Sequence, residues 1–520
     1  MAAMARKWWT LLVVCVATFM LLLDITIVNV ALPTIARDLH ASFSDLQWVV
    51  DAYALTLAAV LLTAGTLADL LGRRLIFVVG VGVFSTASLL CALAPNALFL
   101  NLARGVEGIG GAMMYATALA LLAQEFHGRE RGTAFGIWGA AIAVSAAIGP
   151  LLGGALTDSL GWSSIFYINV PVGVVVVFLS LWRLEESRDP EGKRVDWLGT
   201  ITFTGALFAL VLALIRGNAE GWTSSLILGL FAASVVLMVA FVVSQAVQER
   251  GMLDLRLFRK PTFVGASTTA FTLAAGMFAM LLYLTLFIQT LMGYSPLQTG
   301  LRFLPFTVVS FFGAAITGRL SERFPARVLL FVGLGLAGLG LVLMRAVTPS
   351  SSWTVFLPGF VLGGAGVGMV NPVLAATAIG VVSPQRSGMA AGINNTFRQV
   401  GTAAGIAALG AIFQSSLTRH LTSELARTPA AGRVAEISRA VTAGGAQQVI
   451  RAVPHAERAR ASLAIHVAFT AALNDLLLVG GVVAFVGAGL ALLLVRRRDF
   501  VTYGEPERTG QEPAAVATPG

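Results

Sequence analysis

The chain has 520 residues, 57% of them hydrophobic and only 12% charged, and carries a net charge of +9. A soluble domain holds about 25% charged residues, so the composition excludes a soluble globular protein and, with a mean hydropathy of +0.83, indicates a polytopic membrane protein. The basic excess follows a topological pattern rather than a nucleic-acid-binding one, and two cysteines in apolar runs, Cys15 and Cys91, imply neither a disulfide framework nor a thiolate metal site.

Apolar stretches of roughly 20 residues, enough to cross a bilayer, fall in chain order at 9–31, 46–66, 75–94, 98–123, 132–156, 163–183, 197–216, 224–246, 263–291, 299–317, 327–347, 353–380, 389–414 and 467–495. The first follows a short basic start (Arg6, Lys7) and precedes no small-residue cleavage site, so it reads as an uncleaved span. Fourteen spans put both termini on one side. The short loops on that side hold most of the Lys and Arg, from Arg73 and Arg74 through Arg319 and Arg323 to Arg386, whereas those of the other side hold only Arg37, Arg216 and Arg345. By the positive-inside rule both termini are cytoplasmic. The segment 415–466 is then an external loop, Arg-, Glu- and Ala-rich, in which short surface helices are expected. After Arg498 the chain turns Pro-, Glu- and Thr-rich and reads as a disordered cytoplasmic tail.

An internal repeat divides the chain. Gly65-Thr66-Leu67-Ala68-Asp69 with Gly72-Arg73-Arg74 ends the second span, and Gly318-Arg319-Leu320-Ser321-Glu322-Arg323 ends the tenth. Six spans precede the pair at 197–246 and six follow it. The expected organisation is a six-span half over 1–183, a linker with two extra spans over 184–262, a second half over 263–495, and a tail over 496–520. Two related halves with basic turns are the pattern of a secondary transporter that rocks about a midplane site.

Charges inside spans mark function, because each costs roughly 2.5–3.5 kcal/mol at a helix centre. Asp24 follows Leu21-Leu22-Leu23 in the first span; Asp51 lies in the second; Arg104 and Glu107, three apart on one helix face, lie in the fourth. Asp24, Asp51 and Glu107 are the acids available to Arg104 in this half, and a shared proton relay or a static ion pair would each account for them. Gly65 and Gly72 permit close approach or positive φ. Asp69 can accept from a neighbouring helix N-terminus, and Arg73 and Arg74 can pair with acids on the other half, forming a conformational latch; the alternative is charge that only sets topology. In span 5, Ala141, Ser145, Gly149 and Gly153 form a small-residue ridge, followed by Gly154, with Pro150 bending the helix. The less charged second half offers Tyr283, Gln289, Asn371, Asn394 and Arg398, which together with Asn29 and Tyr53 are candidate cavity residues.

On four motifs the chain resembles the major facilitator superfamily, and within it the fourteen-span drug:proton antiporter family. These are Gly65-x3-Asp69-x2-Gly72-Arg73-Arg74; Arg104-Gly105-Val106-Glu107-Gly108; Gly136-x8-Ser145-x3-Gly149-Pro150-x2-Gly153-Gly154; and Leu23-Asp24-x-Thr26-Ile27-Val28-Asn29-x-Ala31-Leu32-Pro33. The family usually has a basic residue at Leu70, Gln at Glu107 and Gly at Ser145. The resemblance implies an all-α major facilitator fold of two six-helix halves plus two inserted central helices. It implies proton coupling through Asp24 and Arg104, and an antiporter signature in span 5.

The resulting expectation is a proton-driven antiporter, without cofactor and monomeric, that exports hydrophobic or cationic drugs or an antibiotic across a bacterial cytoplasmic membrane. The alternative is a proton-coupled importer of a small polar metabolite. An ATP-driven pump needs a Gly-x4-Gly-Lys-Ser/Thr loop, which the sequence lacks, and its five histidines are scattered rather than grouped as a catalytic or metal set.

Overall fold

The computed structural model describes residues 2–41, 43–126, 129–188, 196–248, 253–383, 386–426, 432–442, 449–450 and 458–501. All regular elements among them are helical. The long ones number fourteen and take the labels α1 (Ala2–Asp38), α2 (Phe43–Leu71), α3 (Arg73–Ala92), α4 (Ala97–Glu125), α5 (Arg129–Leu160), α6 (Ser164–Arg183), α7 (Trp197–Glu220), α8 (Ser225–Val247), α9 (Pro261–Leu291), α10 (Pro296–Leu320), α11 (Ala326–Leu343), α12 (Leu357–Gly380), α13 (Ser387–Leu425) and α14 (Arg458–Leu494). Thirteen meet the length and hydropathy of a membrane span; α5, with 32 residues, supplies the predicted span at 132–156. The tail beyond residue 501, and the side chains of Asn29 and Pro150, lie outside the described residues.

The helices alternate in direction, so the ends of α2, α4, α6, α8, α10, α12 and α14 share a face with the starts of the odd-numbered helices and with both chain ends. This terminal face is where the halves meet most closely. α2 crosses α13 and α5 crosses α10, each through glycines, because only a missing Cβ lets two backbones approach this closely. A Cβ on Gly65 would strike the Gly388 carbonyl, and one on Gly132 or Gly318 would strike the carbonyl of the other. Gly136 meets Ala314, and Gly139 meets Ala314 and Asn371, so the α5 seam reaches toward the middle of the bundle.

The inserted pair packs outside this arrangement. Thr63 of α2 bonds Thr204 of α7 at 3.0 Å, and Asn218 of α7 donates to the Ala407 carbonyl of α13 at 3.0 Å, so α7 lies against both halves. α8 packs behind it with Val235, Val236, Val239 and Val243 exposed, as expected of a lipid-facing helix. Asp196 caps α7 and accepts from Gln245 of α8 and from Gln248, the residue that ends it, fixing the pair at the terminal face. The chain end is clasped there too. Asp499 accepts from the Thr262 amide at 3.1 Å and hydroxyl at 2.8 Å. Partial burial pushes its carboxyl up, but these bonds, with Arg498 and Arg496 nearby, hold it below its ordinary value.

Two features depart from expectation. The first helix continues through Pro33 to Asp38, beyond the predicted limit at residue 31. The expected loop 415–466 is shorter than predicted, since α13 runs on to Leu425 and α14 starts at Arg458, whereas the short helix Val434–Thr442, packed against α13 through a Thr418–Ser438 hydroxyl pair at 2.8 Å, is of the kind expected there. A helix satisfies its own backbone by i→i−4 hydrogen bonds, so it can run on beyond the lipid without loss.

The glycine seam makes a test. With Cys15 and Cys91 replaced by alanine, Gly132→Val should force α5 and α10 apart and raise the thiol-labelling rate of Ala314→Cys, a position 1% exposed, by at least several-fold. An unchanged rate would mean that this crossing does not hold the terminal face shut.

Candidate functional site

The site is built where α1, α2, α3, α4 and α6 converge in the first half. Arg104 is 1% exposed, Asp24 1% and Glu107 0%. Arg104 Nη1 donates to Asp24 Oδ2 at 2.6 Å and to Glu107 Oε2 at 2.7 Å, and its Nε donates to the Val49 carbonyl at 3.0 Å. The guanidinium also lies over the Tyr53 ring at 4.3 Å and the Phe166 ring at 5.7 Å, a stacked geometry suited to Arg. Asn169 donates to Asp24 Oδ1 at 3.2 Å and to Ser88 Oγ at 3.0 Å, and Ser88 donates to the Phe166 carbonyl. Cys91 Sγ donates to Glu107 Oε2 at 3.5 Å. Glu107 Oε1 is buried without a hydrogen-bond partner. One guanidinium thus faces two carboxylates in a water-poor setting.

Asp51 does not join them. Val49 and Tyr53, four residues apart, put their face of α2 toward Arg104, and Asp51 lies two residues from each, about 200° around the helix. Its charge partner is Arg216 of α7, which itself pairs with Glu220 at 2.8 Å. The expected group of three acids around Arg104 is therefore two, because helix rotation, not membership of the same half, decides which side chains meet.

The loop motif lies on the terminal face. Asp69 accepts from the Gly388 and Met389 amides at 3.1 and 2.9 Å, capping α13 of the other half, where N-terminal amides favour an anion. Arg73 binds Asp69 itself at 2.9 Å. Arg74 approaches Glu186 at 3.8 Å and donates to the Leu184 carbonyl at 3.2 Å, while Glu186 accepts from the Arg74 and Leu75 amides at the start of α3. In these contacts Arg73 meets an acid of its own half and Arg74 meets the start of the 184–262 linker, while Asp69 reaches the backbone amides of α13. Gly72 has φ of 125°, and a side chain there would meet the Glu186 carboxylate.

The span-5 ridge faces α1. Gly149 packs on Thr26 and Gly153 on Ile27, whereas Gly154 has open space beside it. Ser145 Oγ donates to the Ile142 carbonyl at 2.7 Å.

The second-half residues divide. Tyr283 donates to the Ile406 carbonyl at 2.9 Å and is buried; Gln289 is half-buried in a π-helical turn, Phe287–Leu291, of α9; Asn394 donates to the Ala266 carbonyl at 3.3 Å. Arg398 donates to Asn371 Oδ1 and, across the halves, to the Tyr115 hydroxyl at 2.9 Å. Tyr115 stacks on Trp138 at 6.1 Å, and Trp138 donates to Thr18 Oγ1 at 3.0 Å. Tyr115, Trp138, Asn169 and Ser88 were not singled out from the sequence. As neutral residues in apolar runs they carry no charge penalty to flag them.

Two long-helix halves, an inserted pair and a buried ionic cluster between helices of one half define a multi-pass transporter. The Major Facilitator Superfamily model matches residues 14–406, and the chain belongs to that family. It is 38% identical over 419 residues to the multidrug resistance protein Stp of Mycobacterium tuberculosis, covering 80% of this chain and 78% of that one. It is 32% identical over 521 residues to the tetracenomycin C resistance and export protein of Streptomyces glaucescens, covering 99% and 96%. The puromycin resistance protein of Streptomyces alboniger is 35% identical over 421 residues, covering 80% and 84%. In fold, the chain resembles the crystal structure of the human organic anion transporter MFSD10 (TETRAN), with a TM-score of 0.60 at 15% identity, over 92% of this chain and 99% of that one.

The cluster's energetics are testable. Breaking a buried pair by removing one partner costs about 3–5 kcal/mol, whereas replacing a whole buried ionic set by apolar groups is often neutral. Arg104→Leu should therefore destabilise the purified protein by about that amount, and the triple change Arg104→Leu, Asp24→Leu, Glu107→Leu should recover most of it, read by thermal unfolding in detergent. Equal losses in the single and triple variants would show that the three residues do not form one charge-balanced unit.

Proposed function

We propose that the protein is a proton-coupled antiporter that exports hydrophobic or cationic drugs or an antibiotic across the cytoplasmic membrane by alternating access, with both termini in the cytoplasm. The observation that carries this reading is the charge count of the buried cluster: one guanidinium, Arg104, between two carboxylates, Asp24 and Glu107. Two ionised acids against one base leave a net negative charge in a low-dielectric setting, which is costly, and one bound proton removes it.

Hydrogen bonding favours Glu107 as the proton's seat. Both Asp24 oxygens and Glu107 Oε2 already accept hydrogen bonds, while Glu107 Oε1 accepts none, so protonation there breaks no existing bond. Arg104 is seven residues from the outer start of α4, about 10 Å along the helix, and so within reach of external protons. The halves sealed along the α2–α13 and α5–α10 crossings correspond to a state closed to the cytoplasm. In this reading proton binding relaxes the cluster, and with it the α1–α5 ridge at Gly149 and Gly153, while the Asp69 cap on α13 breaks and reforms as the latch. Asp51, beside Arg216, stands outside the proton-sharing group. The resistance and export functions for which the relatives are named support the direction of transport.

Dye efflux in inverted membrane vesicles tests this. Asp24→Asn and Glu107→Gln each leave one acid for one base, a pair that needs no proton; each should abolish ΔpH-driven transport, and Asp51→Asn should retain it. Collapsing ΔpH should stop transport by the unaltered protein. Full ΔpH-driven efflux by Asp24→Asn would remove it from the coupling group, and ATP-dependent efflux without a proton gradient would sink the whole reading.

A further inference from the structure

A second intramembrane arginine lies in the other half, and its surroundings differ in kind from those of Arg104. Arg398 is eleven residues into α13, about 16 Å from the terminal face, near the middle of the bilayer. It is only partly buried, so it borders the space between the halves. Its side-chain hydrogen bonds go to two neutral groups, Asn371 Oδ1 of α12 and the Tyr115 hydroxyl of α4. No acid pairs with it among the described residues. Within the second half's spans the one carboxylate is Asp475, which binds Ser416 and Arg419, and Ser416 is eighteen residues farther along α13, about 27 Å away.

The partners of Arg398 are themselves spent as acceptors and keep their donors. Arg398 can only donate, so Asn371 turns its oxygen toward the guanidinium and its amide N–H groups away. The Tyr115 oxygen accepts from Arg398, and its O–H has no acceptor among the described hydrogen bonds. Guanidinium, amide and phenol therefore each keep hydrogens to offer, and among the described residues no carboxylate answers them. Around this polar patch stand aromatic faces: Phe278 lies 5.6 Å from the guanidinium, in the π-helical turn Ala274–Phe278 of α9, and Trp138 stacks on Tyr115. π-Helical turns inside α-helices recur at functional sites.

We propose that Arg398, Asn371 and Tyr115 form an anion-recognition site for the exported molecule, selecting aromatic compounds that carry a carboxylate, a phenolate or a comparable acidic oxygen. A planar acid supplies what the site lacks. Its charge neutralises an arginine whose presence in the membrane otherwise costs roughly 2.5–3.5 kcal/mol, its oxygens take the forked guanidinium N–H groups, and its ring lies against Phe278 and Tyr115. The membrane potential assists export of such an ion, because moving one negative charge out of a negative interior releases about 2.3 kcal/mol per 100 mV. Tyr115 lies eight residues beyond Glu107 on α4, about 12 Å along the helix and about 80° around it. The proton-sharing group and the anion site thus bear on one helix. The inference rests on the export reading above and turns its expected preference for cations toward acidic compounds.

Equilibrium binding to the purified full-length protein tests the site without requiring transport. Two xanthene dyes serve as probes, anionic fluorescein and cationic rhodamine 6G, each followed by fluorescence anisotropy. Fluorescein should bind the unaltered protein at least tenfold more tightly than it binds Arg398→Gln, with Arg398→Lys in between and Tyr115→Phe weakened several-fold. Rhodamine 6G binding should change less than twofold in all three. Equal weakening of both dyes would make Arg398 a structural tie between the halves and overturn the proposal, as would failure of the unaltered protein to bind fluorescein. Should Arg398→Gln not fold, Arg398→Lys and Tyr115→Phe carry the same comparison. Fluorescein binding with no ΔpH-driven dye transport in vesicles would instead count against the export reading alone.

Discussion

The structure depends on how one guanidinium is accommodated away from water. Arg104 reaches the Val49 carbonyl of α2, the Asp24 carboxylate of α1 and Glu107 on its own helix, with aromatic rings of α2 and α6 over it. Four helices of one half are thereby fixed in rotation about a single side chain. Apolar packing in lipid lacks a strong hydrophobic drive between helices, so directional contacts of this kind decide which faces meet. The cluster's surplus carboxyl is the cost of this arrangement and also what gives it something to do.

The two halves solve different problems with the same architecture. The first concentrates acids and holds its arginine among them. The second keeps its arginine at mid-depth among neutral donors. Between them runs α4, with Glu107 toward one end and Tyr115 nearer the other. On the terminal face the described contacts between the halves include glycine against glycine at Gly65–Gly388 and Gly132–Gly318, and a carboxylate on helix N-terminal amides at Asp69. Such contacts are short-ranged and lose their energy over small displacements, which suits a seal that must open as a unit.

Much of this is legible in the sequence for a simple reason: charges in apolar runs are expensive and therefore conspicuous. Asp24, Arg104 and Glu107 stand out, and the i, i+3 spacing puts the last two together. The repeat of the loop motif at Gly318 marks the two halves. What the sequence withholds is rotation and partner. Asp51 reads as a third member of the cluster until Val49 and Tyr53 are known to face α4, which turns Asp51 toward α7. The charges of Arg73 and Arg74 imply acidic partners across the halves, yet in the described contacts it is Asp69 that reaches across, onto backbone amides, and amides leave no mark in a sequence. Tyr115 and Trp138 are invisible for the same reason as most neutral residues in spans: nothing distinguishes a lining side chain from a packing one until the neighbouring helix is in place.

The length of α13 has a mechanical consequence. Its 39 residues make a rod of about 58 Å, nearly twice the thickness of the hydrocarbon core, and it is held at one end by the Asp69 cap. A tilt of about 10° at that end carries the far end through roughly 10 Å, since displacement grows with distance from the fulcrum. The short helix Val434–Thr442, fastened to the rod through Ser438 and Thr418, travels with it. The outer end is therefore a lever tip, and small changes at the opposite face are magnified there into a change of surface shape.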